Sequence, residues 1–80
     1  MVILTKLDSA FGKTLKSRRQ SINLSQEKFS LKSGLSRPYI SDLEMGKKDP
    51  SLFTVFKLAN ALRLKPSVLI DEVEQITGLL

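Results

Sequence analysis

The sequence lacks the residues on which much enzyme chemistry depends. Its 80 residues include no cysteine, no histidine and no tryptophan. Without cysteine the chain has no disulfide and no thiolate metal site, which fits a reducing cytoplasm. Without histidine as well, Ser-His and Cys-His catalysis and the common zinc sites are excluded. We therefore expect no metal and no cofactor.

Long apolar runs are also missing. The longest, such as Met1 to Leu4, are far too short for a membrane span or a signal peptide. The chain has no phosphate-binding glycine loop, and a domain of this size has little room for a substrate pocket. We expect a single domain over residues 1–80 that is not an enzyme, contacts no membrane and binds no small molecule.

Charge is distributed unevenly along the chain. The net charge is +5, and all 13 lysines and arginines fall within residues 1–65, together with five acidic residues. That segment therefore carries +8, whereas residues 66–80 carry three acids and no base. A basic body fits a polyanion such as nucleic acid, although a small domain can also be basic for solubility alone.

Apolar residues recur at helical spacing, and no segment shows sustained strand alternation, so an all-α fold is predicted. The predicted helices run from about Ser9 to Ile22, from Ser25 to the turn at Ser33, from Ser36 to Gly46, from Leu52 to Leu62, and from Pro66 onwards. The first helix would be capped by Asp8 or Ser9, and the next three by the serines at 25, 36 and 51. The helical core spans residues 7–76.

The segment from Leu24 to Pro50 holds two short helical patterns joined by a tight Ser33-Gly34-Leu35-Ser36 turn. In the second pattern the apolar Ile40 and Leu43 point inward, while polar residues occupy the opposite face. This arrangement predicts a DNA-reading helix-turn-helix at about residues 25–45.

Four motifs in this order resemble the Cro and phage-repressor class of regulators, the XRE family. They are Leu24-Ser25-Gln26-Glu27, Ser33-Gly34-Leu35-Ser36, Tyr39-Ile40-Ser41-Asp42-Leu43-Glu44-Met45-Gly46 and Asp49-Pro50-Ser51-Leu52. The resemblance covers about residues 11–70. It implies a compact five-helix bundle (a lambda-repressor-like DNA-binding domain), with helix 3 in the major groove and helix 2 across the phosphate backbone.

The resemblance also implies roles for individual residues. The base-reading positions are Arg37, Pro38, Ser41 and Asp42. Gln26 matches the family's phosphate-contacting glutamine, and Ser36 and Tyr39 are further DNA-backbone positions. Lys47, Lys48 and Ser51 follow helix 3, where they can contact the DNA backbone or form a solvated loop. Arg19 and Glu44 match a structural ion pair that ties helix 1 to helix 3. Tyr39 resembles a flanking contact in restriction–modification controller proteins, a branch of this family.

Two of the base-reading positions keep alternatives open. Arg37 can bond guanine O6 and N7, or it can be a solvated surface charge. Asp42 can accept a hydrogen bond from cytosine N4 and repel wrong sequences, or it can balance the charge of Lys47.

The sequence departs from the family pattern near helices 4 and 5. Arg63 stands where a glycine usually ends helix 4, and a left-handed conformation costs arginine about 1 kcal/mol, so a different helix end is expected. The apolar Phe53 and Val68 replace residues that are usually polar. The expected dimer interface therefore comprises Phe53, Val68, Leu69, Val73 and Ile76, with Leu79 and Leu80 beside it.

These observations favour a sequence-specific regulator of transcription that binds double-stranded DNA. It would act as a homodimer on a pseudo-palindromic operator, in the cytoplasm on the nucleoid, with RNA polymerase as a further candidate partner. The alternative is an antitoxin or a protein–protein adapter built on the same fold. Repression and activation both remain open.

Overall fold

The computed structural model describes residues 2–78, and it describes side chains from residue 6 onwards. The helices in chain order are α1 (Val2–Ser21), α2 (Gln26–Ser33), α3 (Arg37–Glu44), α4 (Leu52–Ala61) and α5 (Pro66–Thr77). No strand occurs among the described residues. The prediction of an all-α fold with five helices is confirmed.

Serine hydroxyls cap three of the helices as predicted. The Oγ atoms of Ser25, Ser36 and Ser51 accept hydrogen bonds from backbone N–H groups three residues further on, at 3.1, 3.3 and 3.1 Å respectively. Each bond satisfies an N–H group that has no partner inside its helix. Because these caps are local, the sequence located the starts of α2, α3 and α4 correctly.

Helix α1 is longer than predicted. It begins at Val2, so neither Asp8 nor Ser9 is its N-cap, and that expectation was wrong. Residues 2–8 contain neither glycine nor proline, and an aspartate or serine inside such a segment does not oblige a helix to start there. The chain leaves α1 through Asn23, which has the left-handed φ of 56° that asparagine tolerates at a helix end.

The core lies where all five helices meet. Its fully buried large side chains are Leu15, Phe29, Ile40, Leu43, Leu58 and Leu69. At its edge Arg18 on α1 and Glu72 on α5 form two hydrogen bonds, one of them 2.9 Å from Nε to Oε1. This pairing raises the pKa of Arg18 and lowers the pKa of Glu72, because each group stabilises the charged form of the other. The ion pair fixes α5 against α1.

Some residues of the predicted apolar faces lie outside the core. Ile22, Leu52 and Phe56 lie at apolar positions of the helical pattern and are nevertheless exposed. Helix α4 already fills its side of the core with Val55, Leu58, Ala59 and Leu62. A domain this small has no second layer to cover the rest.

Helix α4 ends in an unexpected way. Arg63 adopts the left-handed conformation with φ 58°, so the expectation that this helix would end differently was wrong. The N–H of Leu64 bonds to the carbonyl of Ala59 at 2.9 Å, and the N–H of Arg63 bonds to that of Asn60 at 3.1 Å. These two bonds form a Schellman motif, which satisfies carbonyls at the helix end despite a cost of about 1 kcal/mol for a left-handed residue other than glycine.

Each helix within residues 2–78 is too short or too polar to cross a membrane.

Helices α1 and α3 approach each other closely at Gly12. A Cβ atom there would lie 2.5 Å from the carbonyl oxygen of Leu43 and 2.6 Å from that of Glu44. Both neighbours are backbone atoms and cannot rotate away. The absence of a side chain at Gly12 therefore sets the distance between the two helices.

We predict that Gly12→Ala destabilises the domain, although alanine normally favours a helix over glycine. The added methyl group forces α1 and α3 apart at a cost of about 2 kcal/mol, which lowers Tm by roughly 8–16 °C. Thermal unfolding followed by circular dichroism measures the change. Ser17→Ala, at an exposed site on the same helix, is the control and should leave Tm nearly unchanged. A Gly12→Ala variant as stable as the wild type would contradict the close approach.

Candidate DNA interface

Helix α3 is held at a fixed angle to α2 by the turn between them. Gly34 has φ 74°, the left-handed conformation that the sharp turn needs. The Ser30 hydroxyl donates to the carbonyl of Leu35, and the Leu35 N–H donates to the Ser33 hydroxyl at 3.3 Å. The turn is therefore braced by two small side chains as well as by the core.

The four predicted base-reading residues share the outer face of α3. Arg37 and Pro38 are exposed, and Ser41 and Asp42 are half-buried. Ile40 and Leu43, on the opposite face, are fully buried. Arg37, Ser41 and Asp42 are thus free of any core role and are available to another molecule.

Asp42 is not paired with Lys47 through their side chains. Two ion pairs occur within residues 6–78, Arg18–Glu72 and Arg19–Glu44, and Asp42 belongs to neither. Only the backbones of Asp42 and Lys47 are bonded, at 2.9 Å. The carboxylate of Asp42 is therefore available to accept a hydrogen bond from a ligand.

The predicted DNA-backbone positions surround α3. Ser36 and Ser51 are exposed caps at the starts of α3 and α4, and Lys47 and Lys48 are exposed in the loop between these helices. Tyr39 is half-buried and packs against the core, so only part of its surface faces outward. Exposed helix N-termini and lysines are the groups that bind phosphate in many proteins.

A buried hydrogen-bond network joins α1, α2 and α3. Glu44 Oε2 lies 2.6 Å from Nε of Arg19, and Glu44 Oε1 lies 3.0 Å from its Nη2. Arg19 Nη1 also donates to the carbonyl of Leu24 at 2.8 Å. The two charged residues are only 8 and 9% exposed. The ion pair expected from the sequence is formed, and Arg19 also bonds the loop that precedes α2.

Gln26 belongs to this network, which sequence reasoning did not foresee. Its Nε2 donates to Glu44 Oε1 at 2.9 Å. A glutamine amide has two N–H donors, so one remains for a ligand while the other fixes the side chain. No local signal in the sequence reveals this bond, because the partners are 18 residues apart.

The predicted dimer interface requires correction. Leu69 and Val73 are 0 and 4% exposed and belong to the core, so they cannot be contact residues between protomers. Phe53, Val68 and Ile76 are exposed. Leu79 and Leu80 lie outside the described residues. The pattern was misleading because α5 is apolar on more than one face. Leu69 and Val73 are buried in the core, whereas Val68 and Ile76 are exposed.

An exposed apolar surface does occur where α4 meets α5, and we call it the α4–α5 patch. Its members are Leu52, Phe53, Phe56 and Ile70. Three of them, all except Phe53, line a shallow depression of about 410 Å³ together with Val55 and Pro66. Val68 and Ile76 lie elsewhere on α5, since at 100° per residue they are far from Ile70 around the helix.

Potential metal ligands do not cluster in the part of the chain that the structure describes. The described residues include an exposed polar face on α3, three capped helix N-termini and the exposed Lys47 and Lys48. Such groups suit a nucleic acid, because lysines and helix N-termini can bind its phosphates while polar side chains contact its base edges.

Comparisons with known proteins agree with this geometry. The helix-turn-helix family profile matches residues 15–69. Control protein C.BamHI from Bacillus amyloliquefaciens is 40% identical over 62 residues, covering 76% of each chain. Control protein C.MunI from Mycoplasma sp is 36% identical over 66 residues, covering 81% of this chain and 89% of that protein. The structure of restriction-modification controller protein C.AhdI from Aeromonas hydrophila matches with a TM-score of 0.76 at 39% identity, covering 78% of this chain and 94% of that one. The chain therefore belongs to the helix-turn-helix family, as a DNA-binding transcription regulator of the XRE type.

Proposed function

We propose that the protein binds a pseudo-palindromic operator as a homodimer and reads it with α3. The observation that carries this proposal is the outer face of α3, where Arg37, Ser41 and Asp42 serve no core packing. A helix of this kind fits the major groove of B-DNA, and its first residues then reach the base edges.

Individual side chains on α3 suit different base edges. The Arg37 guanidinium can donate two hydrogen bonds to guanine O6 and N7, and the unpaired Asp42 carboxylate can accept one from cytosine N4. Pro38 can touch a thymine methyl group. Ser41 can donate or accept, so it distinguishes bases weakly. Arg37 and Asp42 thus supply most of the sequence discrimination.

Phosphate contacts position the helix and supply most of the affinity. The free amide N–H of Gln26 and the N-terminus of α2 can both donate to one phosphate, and the bond to Glu44 holds the amide in place for this contact. Ser36, Tyr39 and Ser51 lie at the starts of α3 and α4, and Lys47 and Lys48 add positive charge beside them. Binding therefore weakens steeply as salt is added.

The α4–α5 patch is the surface that we assign to the homodimer, in place of the predicted stripe on α5. Its four apolar residues are exposed on adjacent helices, and a two-fold axis would bury both copies of the patch together. Such a dimer places two recognition helices about 34 Å apart, one turn of DNA.

The relatives favour one biological context. Two of them are named control proteins, and a third is named as a restriction–modification controller. We propose the same role here, in the cytoplasm on nucleoid DNA, with no enzymatic activity. Contact with RNA polymerase would make the regulator an activator, and occlusion of polymerase would make it a repressor. The exposed outer face of α3 and these relatives favour the DNA-binding regulator over the antitoxin or adapter alternative.

Selection of bound duplexes from a random DNA pool tests the proposed function. We expect a two-fold symmetric motif for the wild type. For Arg37→Ala we expect the same motif with guanine preference lost at one position in each half-site, and a cost of about 1–3 kcal/mol on the wild-type operator. Lys48→Ala is the control, since a phosphate contact should weaken all sequences equally and reduce the salt dependence.

Two results would contradict the proposal that α3 recognises a specific DNA sequence. One is a pool that yields no enriched motif for the wild type. The other is an Arg37→Ala variant that selects the wild-type motif at every position.

Sedimentation equilibrium of variants tests the dimer surface. We expect Phe56→Glu to raise the dimer dissociation constant by about thirtyfold or more, because it places a charge in an apolar interface. Ile76→Glu, on another side of α5, should leave the dimer intact. If Ile76→Glu dissociates the dimer and Phe56→Glu does not, the interface lies on the stripe of α5 that the sequence predicted.

A further inference from the structure

A second groove lies at the C-terminal ends of α2 and α4, and we call it the distal groove. Leu24, Leu62 and Leu64 form its floor, and the exposed Ile22 forms one edge. Its volume is about 450 Å³. A depression of this size and composition can accept a large aliphatic side chain.

The distal groove is far from the DNA-facing ends of the same helices. Gln26 begins α2 and Ser51 caps α4, whereas Lys32 and Leu62 at the opposite ends line the groove. At 1.5 Å per residue these helices are roughly 12 and 15 Å long. No residue of α3 or of the α4–α5 patch lines the groove. It therefore stays uncovered when α3 is on DNA and the patch is in a dimer.

Positive charge surrounds the apolar floor. Arg18 is already neutralised by Glu72. Lys32 and Arg63 have no carboxylate within 4.0 Å among residues 6–78. Nucleic acid would bind these two cations but would not contact the leucine floor. A neutral apolar ligand would contact the leucine floor but would not bind the cations. An acidic peptide with an aliphatic side chain would use both.

The side chain of Arg63 is not needed to end helix α4. Its left-handed φ of 58° strains any residue except glycine and a few polar ones. The Schellman bonds that end α4 involve only backbone atoms, so a glycine would form them equally well. The arginine therefore costs some stability relative to glycine, and it adds a cation at the edge of the groove.

We propose that the distal groove binds an acidic peptide segment of another protein. One large aliphatic side chain of that segment lies on Leu24, Leu62 and Leu64, while its carboxylates face Lys32 and Arg63. The regulator would thereby hold a partner protein while it is bound to DNA.

Amide chemical shifts of the full-length, ¹⁵N-labelled protein test this proposal. The probe is a short synthetic peptide of glutamate and leucine, and the matched probe has lysine in place of glutamate. We expect saturable shifts at residues 22–24 and 62–64 with the acidic probe, and none with the basic probe. Residues of α3 should not shift.

Two variants separate binding from folding. Arg63→Gly should weaken the acidic probe about two- to fivefold, since it removes one of two unpaired cations, while raising Tm by about 4–8 °C and leaving operator affinity unchanged. Lys16→Ala removes an exposed charge on α1 outside the groove and should change neither probe affinity nor Tm.

Three results would overturn the proposal. The first is the absence of saturable shifts at the groove amides. The second is equal weakening of the probe by Arg63→Gly and Lys16→Ala, which would indicate general charge attraction. The third is displacement of the probe from these amides by a duplex that lacks the operator, which would assign the groove to nucleic acid.

Discussion

The buried ion pair between Arg19 and Glu44 is the interaction that sets the position of the recognition helix α3 relative to α1 and α2. Two charges removed from water are tolerated only when each is fully hydrogen-bonded. Glu44 receives two bonds from Arg19 and one from Gln26, and Arg19 also bonds the carbonyl of Leu24. One carboxylate on α3 therefore connects α1, the loop after it and the first residue of α2.

This network and the contact at Gly12 together fix the recognition helix. Gly12 allows the backbone of α1 to contact the end of α3. About two turns further along α1, the Arg19–Glu44 ion pair joins the same two helices. Helix α3 consequently has one orientation relative to the start of α2. A DNA-reading site needs this rigidity, because base contacts and phosphate contacts must be made at the same time.

Features that depend on neighbouring residues could be predicted from the sequence, and features that depend on distant ones could not. The serine caps of α2, α3 and α4 and the left-handed Asn23 follow from local chemistry. The start of α1 was misplaced because Asp8 and Ser9 resemble a cap without being one. The exposure of Leu52 and Phe56, and the bond from Gln26 to Glu44, follow from how helices pack, which periodicity alone does not specify.

The most direct test of whether the buried pair positions the DNA contacts uses the double variant Arg19→Met/Glu44→Leu. Its affinity for the operator is the quantity to measure. This variant should fold, because apolar residues that replace a whole buried ion pair are often neutral or stabilising, whereas removing one partner strands a charge at a cost of about 3–5 kcal/mol. We predict that it unfolds at a temperature near that of the wild type and yet binds the selected operator at least about tenfold more weakly, since Gln26 loses its acceptor. A folded double variant with wild-type affinity would show that the pair stabilises the bundle without positioning the DNA contacts.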